Sequence, residues 1–205
     1  MAEAGTELPA PNFITLGPEG SDHEQVTKWY LGRQGLLDVA GVDLVPDMVD
    51  DGLERVRNEP NSFLVQCSAH QQVNVINMSY PGEVVMVDTF MQPTMKIGLL
   101  VRRDVEEPRR LAIMPATAAY VDIDDWEEVV EVGSKPIAAR MLLEGEADAG
   151  IASVTHADEN PDALKVAEAF GAVMTSWNVF GQRPRPEGIP LGEPLTGFYA
   201  PGLKS

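Results

Sequence analysis

Phe13-Ile14-Thr15-Leu16-Gly17-Pro18-Glu19-Gly20-Ser21 is the stretch that decides the fold. Phe13 to Leu16 reads as a strand, and the Gly-Pro-Glu-Gly sequence after it reads as a tight turn. Ser21 has Glu24 at capping-box spacing, so a helix begins there. Val26, Trp29, Tyr30 and Arg33 follow at helical intervals, and Gly35 offers a stop. A strand passing through a glycine turn into a capped helix is the building unit of an α/β protein.

The alternation continues along the chain. Val42 to Val45 and Phe63 to Gln66 read as strands flanking a helix whose face carries Val49, Leu53 and Val56. Glu83 to Phe90 and Lys96 to Val101 are two more strands, separated by Gln92-Pro93. Leu111 to Met114 and Trp126 to Val132 follow. Ser134 then suits the N-cap of a helix with Pro136 in its first turn, a stripe of Ile137, Ala138, Met141 and Leu142, and Gly145 as its stop. Ala147 to Ala152 reads as a buried strand and Ala172 to Phe180 as the last one. Residues 1–11 are read as a flexible N-terminus, and residues 182–205, rich in Pro and Gly, as an extended tail.

The 205 residues suffice for one substantial α/β domain or two small lobes, and 44% hydrophobic residues agree with a globular protein. The net charge of −17 argues against nucleic-acid binding and fits a soluble acidic enzyme. An anionic ligand would then need a local cluster of cations or backbone N–H groups. One cysteine, Cys67, excludes an intramolecular disulfide, and Met1 to Pro11 lacks the blocks of a signal peptide. A cytoplasmic location is the expectation.

His23, His70 and His156 lie far apart without HExxH, CxxC or EF-hand spacing, so no metal is expected, and Cys67 with His70 reads as packing. GxSxG is absent and Gly17-x-x-Gly20 is an incomplete dinucleotide fingerprint, so no cofactor is expected. Two candidate anion cradles remain at helix N-termini: Gly17, Pro18, Glu19, Gly20 and Ser21, and then Ser134 with Lys135. Glycine junctions of this kind also occur for turn geometry alone.

Three stretches carry a family resemblance. Leu16-Gly17-Pro18-Glu19-Gly20-Ser21 resembles the L-G-P-E-G-T/S opening of prephenate dehydratase domains. Ala147-Asp148-Ala149-Gly150-Ile151-Ala152-Ser153 is similar to their A-D-x-A-A-I-A-S segment, and Ser134 to Glu144 lies where they carry a Ser/Thr-x-x-Ala-Ala helix. The departures point within the family. Where dehydratases have Thr-Arg-Phe, this chain reads Met174-Thr175-Ser176-Trp177-Asn178-Val179-Phe180-Gly181, which resembles M-S-W-S-L-F-G of the prephenate decarboxylases of the bacilysin (anticapsin) pathway type. Gly98 to Asp104 resembles their G-L-A-V-R-P-D, and Val65 to His70 replaces the dehydratase V-P-I-E-N-S. The resemblance spans residues 12–181, and a regulatory ACT domain is not expected.

What the resemblance implies is a two-lobed α/β fold of the type II periplasmic-binding-protein kind, with a cleft between the lobes. The implied substrate is the dicarboxylate prephenate, decarboxylated without aromatisation to a dihydro-4-hydroxyphenylpyruvate for antibiotic biosynthesis. Thr175, Ser176 and Asn178 would meet the ring or its hydroxyl, and the two cradles the carboxylates. On a strand, Thr175 and Trp177 point one way and Ser176 and Asn178 the other, so one pair alone can line a cleft. Trp177 is read as core, His23 as solvent-exposed, and His70 as a tempting proton donor. Arg102 and Arg103 either supply charge to the cleft or solvate a loop. Retained Thr175 leaves dehydration to phenylpyruvate open, and a non-catalytic carboxylate-binding protein is the second class. A homodimer is expected from related enzymes, with no nucleic-acid or membrane partner.

Overall fold

The computed structural model describes residues 9–191 and 193–201, so the reading of 1–11 as flexible falls largely outside the described residues. Two compact units are present, one formed by the chain up to Gln92 and again from Met174, the other by Pro93–Val173. The chain begins with β1 (Asn12–Leu16), α1 (Asp22–Gln34), β2 (Gly41–Val45), α2 (Glu54–Asn58), β3 (Ser62–Cys67), α3 (Val73–Met78) and β4 (Val85–Pro93). The second unit holds β5 (Ile97–Arg102), β6 (Arg110–Ile113), β7 (Glu128–Glu131), α4 (Lys135–Leu143), β8 (Ala149–Ser153), α5 (Thr155–Glu159) and β9 (Leu164–Gly171). The return to the first unit adds β10 (Met174–Gly181) and α6 (Thr196–Tyr199).

Each unit contains a five-stranded mixed sheet, in the orders β2-β1-β3-β10-β4 and β7-β6-β8-β5-β9. Both contain three parallel strands with the earliest in the middle, flanked by an antiparallel neighbour, β10 on β3 and β5 on β8. The same topology is therefore used twice, although the sequence shows no repeat.

α1 forms as its sequence dictates. The Ser21 hydroxyl accepts the Glu24 N–H at 3.2 Å, and Gly35 at φ +67° closes the last turn with Leu36 N–H donating to Leu31 C=O at 2.9 Å. Alternation along β1 and β3 then sends Phe13, Phe63, Val65 and Cys67 toward α1, where Val26, Tyr30 and Leu31 meet them. Ile14 and Leu64 go to the opposite face, against Met48, Leu53, Val56 and Ile76. In the second unit α4 lays Ala138, Ala139, Met141 and Leu142 on Leu100, Ala112 and Ala152, and Trp126 and Phe170 pack on the other face.

Several elements differ from the sequence reading. The second helix begins as a π-helical stretch, Met48–Leu53, capped by Asp47, whose carboxylate accepts the N–H groups of Val49 and Asp50 at 2.7 and 2.9 Å. α3 and β9 have no expectation. β9 is an edge strand largely exposed along its length, so no apolar alternation marks it, and pairing with β5 creates it. Gly98 permits that pairing, because a Cβ there would sit 2.5 Å from the Glu168 carbonyl oxygen.

The segment from Gln182, read as an extended tail, packs into the first unit where described. Leu195 and Tyr199 are buried with α1, β1 and β3. Tyr30 donates to Asp88 at 2.7 Å and shares a 2.7 Å contact with the Tyr199 hydroxyl, while Arg185 meets Asp88 at 2.6 Å. Burial first, and then Tyr199 and Asp88, hold the Tyr30 phenol far above its ordinary range, so it stays a donor. Asn61 holds the Tyr199 carbonyl, and Arg183 bonds Asn61 and the Phe198 carbonyl. Low periodicity here reflects tertiary anchoring by polar side chains in place of a regular ladder.

Candidate functional site

Ligands of open α/β sheets bind beyond the carboxyl ends of parallel strands. In the first unit those ends are Leu16, Val45 and Cys67, which leads first to the turn Gly17–Ser21. Much of its donor capacity is used internally. Gly17 N–H donates to Val45 C=O at 2.9 Å, Ser21 N–H to Pro18 C=O at 3.2 Å, and Gly20 N–H to the Glu24 carboxylate at 2.6 Å. The Ser21 hydroxyl donates to Leu16 C=O while accepting from Glu24 N–H. Burial pushes the Glu24 carboxyl up, but the hydrogen bond from Lys28 and then that from Gly20 outweigh it and keep the group below its ordinary value. The positive end of α1 is therefore already met by the protein's own anion. Of the proposed cradle, Pro18 and Glu19 are exposed and Gly17, Gly20 and Ser21 are committed to the turn.

Polar groups gather instead at the ends of β3 and β10, and the strand pair splits the candidate residues between two faces. Thr175 and Trp177 turn toward α1: Thr175 Oγ1 lies 3.9 Å from Cys67 Sγ, and the wholly buried Trp177 ring packs against His23 with centroids 5.1 Å apart. Trp177 Nε1–H donates to Gln92 C=O at 3.0 Å, so its reading as core is met. Asn178 faces the other side, donating to Ser68 Oγ at 3.2 Å and accepting from Thr89 Oγ1 at 3.0 Å. The Ser176 carbonyl accepts the Ser68 N–H at 2.9 Å.

His23 is half-buried, which corrects its reading as solvent-exposed. Parallel pairing of β1 with β3 carries α1's first turn to the end of β3, bringing His23 and His70 to a ring separation of 5.8 Å, edge to face. Cys67 N–H donates to His23 Nε2 at 3.5 Å, and Gln72 N–H donates to His70 Nδ1 at 3.3 Å. Burial holds His70 below its ordinary pKa, partly opposed by the Asp47 carboxylate. Sequence spacing carries no signal for this pair, because only strand order makes residues 23 and 70 neighbours.

Gln66, opposite Asn178 across the strand pair, was also missed. It is fully buried, and neither atom of its side-chain amide has a hydrogen-bond partner among the described residues.

In the second unit, Ser134 occupies the N-cap position of α4 with extended backbone, but its hydroxyl makes no capping bond. That oxygen is buried and unpartnered among the described residues, so the first N–H groups of α4 are not satisfied by it. Lys135 opens the helix beside it. At the end of β8, Ser153 and Thr155 share a 2.8 Å hydroxyl contact. Arg102 is chelated by Asp104 at 2.6 and 3.0 Å, and Arg103 donates to Pro161 and Leu164 carbonyls, so both serve local loops. Among the described residues no group of three or more His, Cys, Asp or Glu side chains could hold a metal ion. Among the described residues no helix is long and apolar enough to cross a membrane.

No family model matches the chain, and no curated protein matches its sequence. Among solved structures it is similar to GqqA, described as a novel type of quorum quenching acylase, at 17% identity and a TM-score of 0.54 over 87% of this chain and 66% of that one. A double mutant of the BvgS VFT2 domain of Bordetella pertussis gives 15% identity and 0.50 over 84% and 80%. The binding-protein component of a phosphonate ABC transporter from Pseudomonas aeruginosa gives 11% and 0.50 over 88% and 71%. Taken with the paired mixed sheets, these similarities give the chain the two-lobed α/β fold of the type II periplasmic binding proteins.

Proposed function

We propose that this protein is a lyase that removes carbon dioxide from prephenate without aromatising the ring, in a secondary-metabolite (antibiotic) pathway. The observation that carries the reading is the chemistry of β10. At the position where the resemblance expects the dehydratase arginine stands Ser176, half-buried, and the strand from Met174 to Gly181 has no charged side chain. Dehydration needs the ring hydroxyl protonated as it leaves. Decarboxylation needs it retained, so a neutral hydrogen-bonding group, Thr175 on one face of the strand or Ser176 and Asn178 on the other, suits the ring hydroxyl better than a strong acid or cation. Catalysis is then chiefly positioning: the bond to the departing carboxylate is held where its electrons can spread into the ring π system.

Ser134 and Lys135 are proposed as carboxylate-binding groups, supported by the Ser134 hydroxyl at the head of α4, unpartnered among the described residues. The Gly17–Ser21 turn has a smaller part than the resemblance implies, since Glu24 takes the Gly20 N–H. A cytoplasmic location belongs to the same proposal.

A second reading is a non-catalytic binding protein for a small anion, favoured by the similarity to a phosphonate-transporter component. Incubation of the protein with prephenate at neutral pH separates the readings. Release of carbon dioxide with a non-aromatic product supports the decarboxylase. Phenylpyruvate as the enzymatic product would replace it with dehydration, and saturable binding without turnover would replace it with a receptor.

A further inference from the structure

We propose that His70, with His23 packed against it, is the acid that protonates the ring carbon after carbon dioxide leaves, an inference that rests on the decarboxylase reading. The cluster at the ends of β3 and β10 holds few groups able to deliver a proton. Thr175, Ser68, Ser176 and Asn178 are hydroxyls and an amide, which neither store nor release a proton near neutral pH. Asp47 is held ionised by the N–H groups of Val49 and Asp50 and by Gln72, and Glu24 by Lys28 and Gly20. The buried Cys67 thiol lies against Thr175. The two imidazoles remain, and they are the groups suited to proton transfer at this pH.

Geometry chooses between them. His23 Nε2 accepts the Cys67 N–H, and its ring is stacked edge-on to Trp177. His70 is anchored through Nδ1 by Gln72 N–H, which puts the proton of the neutral ring on Nε2, the nitrogen from which it would be delivered. Approach of a dianion draws a second proton onto His70. Its partial burial then makes the imidazolium a readier donor than one in water.

The C–C bond to the ring carboxylate breaks and neutral carbon dioxide leaves. The electron pair left behind forms a new ring double bond and pushes the adjacent π pair onto the next ring carbon, which takes the proton from His70 Nε2. The ring hydroxyl stays in place, the dianion plus one proton becomes a monoanion plus carbon dioxide, and His70 reloads from solvent.

The test compares wild type, His70→Gln, His70→Asn and His23→Gln with prephenate as substrate, each checked for native far-UV dichroism and for prephenate affinity. The expected result for both His70 variants is a loss of about 10²-fold in kcat with KM within about threefold. His70→Ala should be partly rescued by added imidazole, a readout that a purely structural role would not move. Wild-type turnover with His70 variants within about fivefold of its kcat, or loss of activity without imidazole rescue, overturns the assignment and leaves the decarboxylase reading standing. A wild type that releases no carbon dioxide from prephenate removes both.

Discussion

Replacing Arg185 by leucine should destabilise the first unit by about 3 kcal/mol, the low end for breaking a buried ion pair by deleting one partner. Asp88 is the group left behind. Its side chain is 2% exposed, against 14% for Arg185, and the two meet at 2.6 Å. Arg185 also donates from Nε to the Ile189 carbonyl at 3.0 Å and from Nη2 to the Pro190 carbonyl, tying the C-terminal segment to β4. The low end applies because Asp88 keeps the Tyr30 hydroxyl at 2.7 Å and the Thr89 N–H at 3.0 Å. For a chain of this size, about 3 kcal/mol corresponds to a fall of about 6–12 °C in Tm. Urea unfolding followed by tryptophan fluorescence in a Trp126→Phe background reads the unit directly, since Trp29 and Trp177 lie in it and Trp126 in the other. Asp88→Asn should recover part of the loss in the double variant, because a neutral amide no longer needs the guanidinium. A single-variant loss under about 1 kcal/mol, or strict additivity in the double variant, would refute the account of this segment as part of the core.

Ser134→Ala and Lys135→Ala should each lower turnover of prephenate by about tenfold or more while Tm changes little, and unchanged turnover in both removes the α4 cradle. Gln66→Leu should leave stability unchanged or raise it by about 1 kcal/mol, as an unpartnered buried amide is replaced by an apolar group; a clear fall in Tm would show that the amide is bonded. His70 has a folded pKa below its ordinary 6.5, so between the two values the unfolded chain binds more protons. Its contribution is therefore complete above about pH 6.5 and is lost as pH falls toward the lower, folded value. The Asp47 carboxylate opposes this, and the His23 ring packs edge to face against His70 at 5.8 Å. Tm measured from pH 7.5 down to 5 should fall more steeply in wild type than in His70→Gln, and parallel curves would remove His70 as the source.

The sequence by itself determined the local α/β units. Ser21, Glu24 and Gly35 specify where α1 starts and stops because capping depends on residues close in the chain. Alternation in Phe13–Ile14 and Phe63–Leu64 likewise assigns each strand's two faces. The same local patterns placed the Ser134 turn at the head of a helix. Tertiary structure alone decided what those elements do together. β9 lacks an apolar pattern because its stability comes from a neighbour, and the polar segment after Gln182 enters the core through Arg185, Asp88 and Tyr199. It also decided that Glu24 occupies part of the Gly17–Ser21 turn and that Ser134 leaves its own helix uncapped. Residues 23 and 70 meet only because β1 and β3 pair in parallel. Hydrogen bonds and ring contacts act over a few ångströms, and no spacing along one chain states which distant residues come within that range.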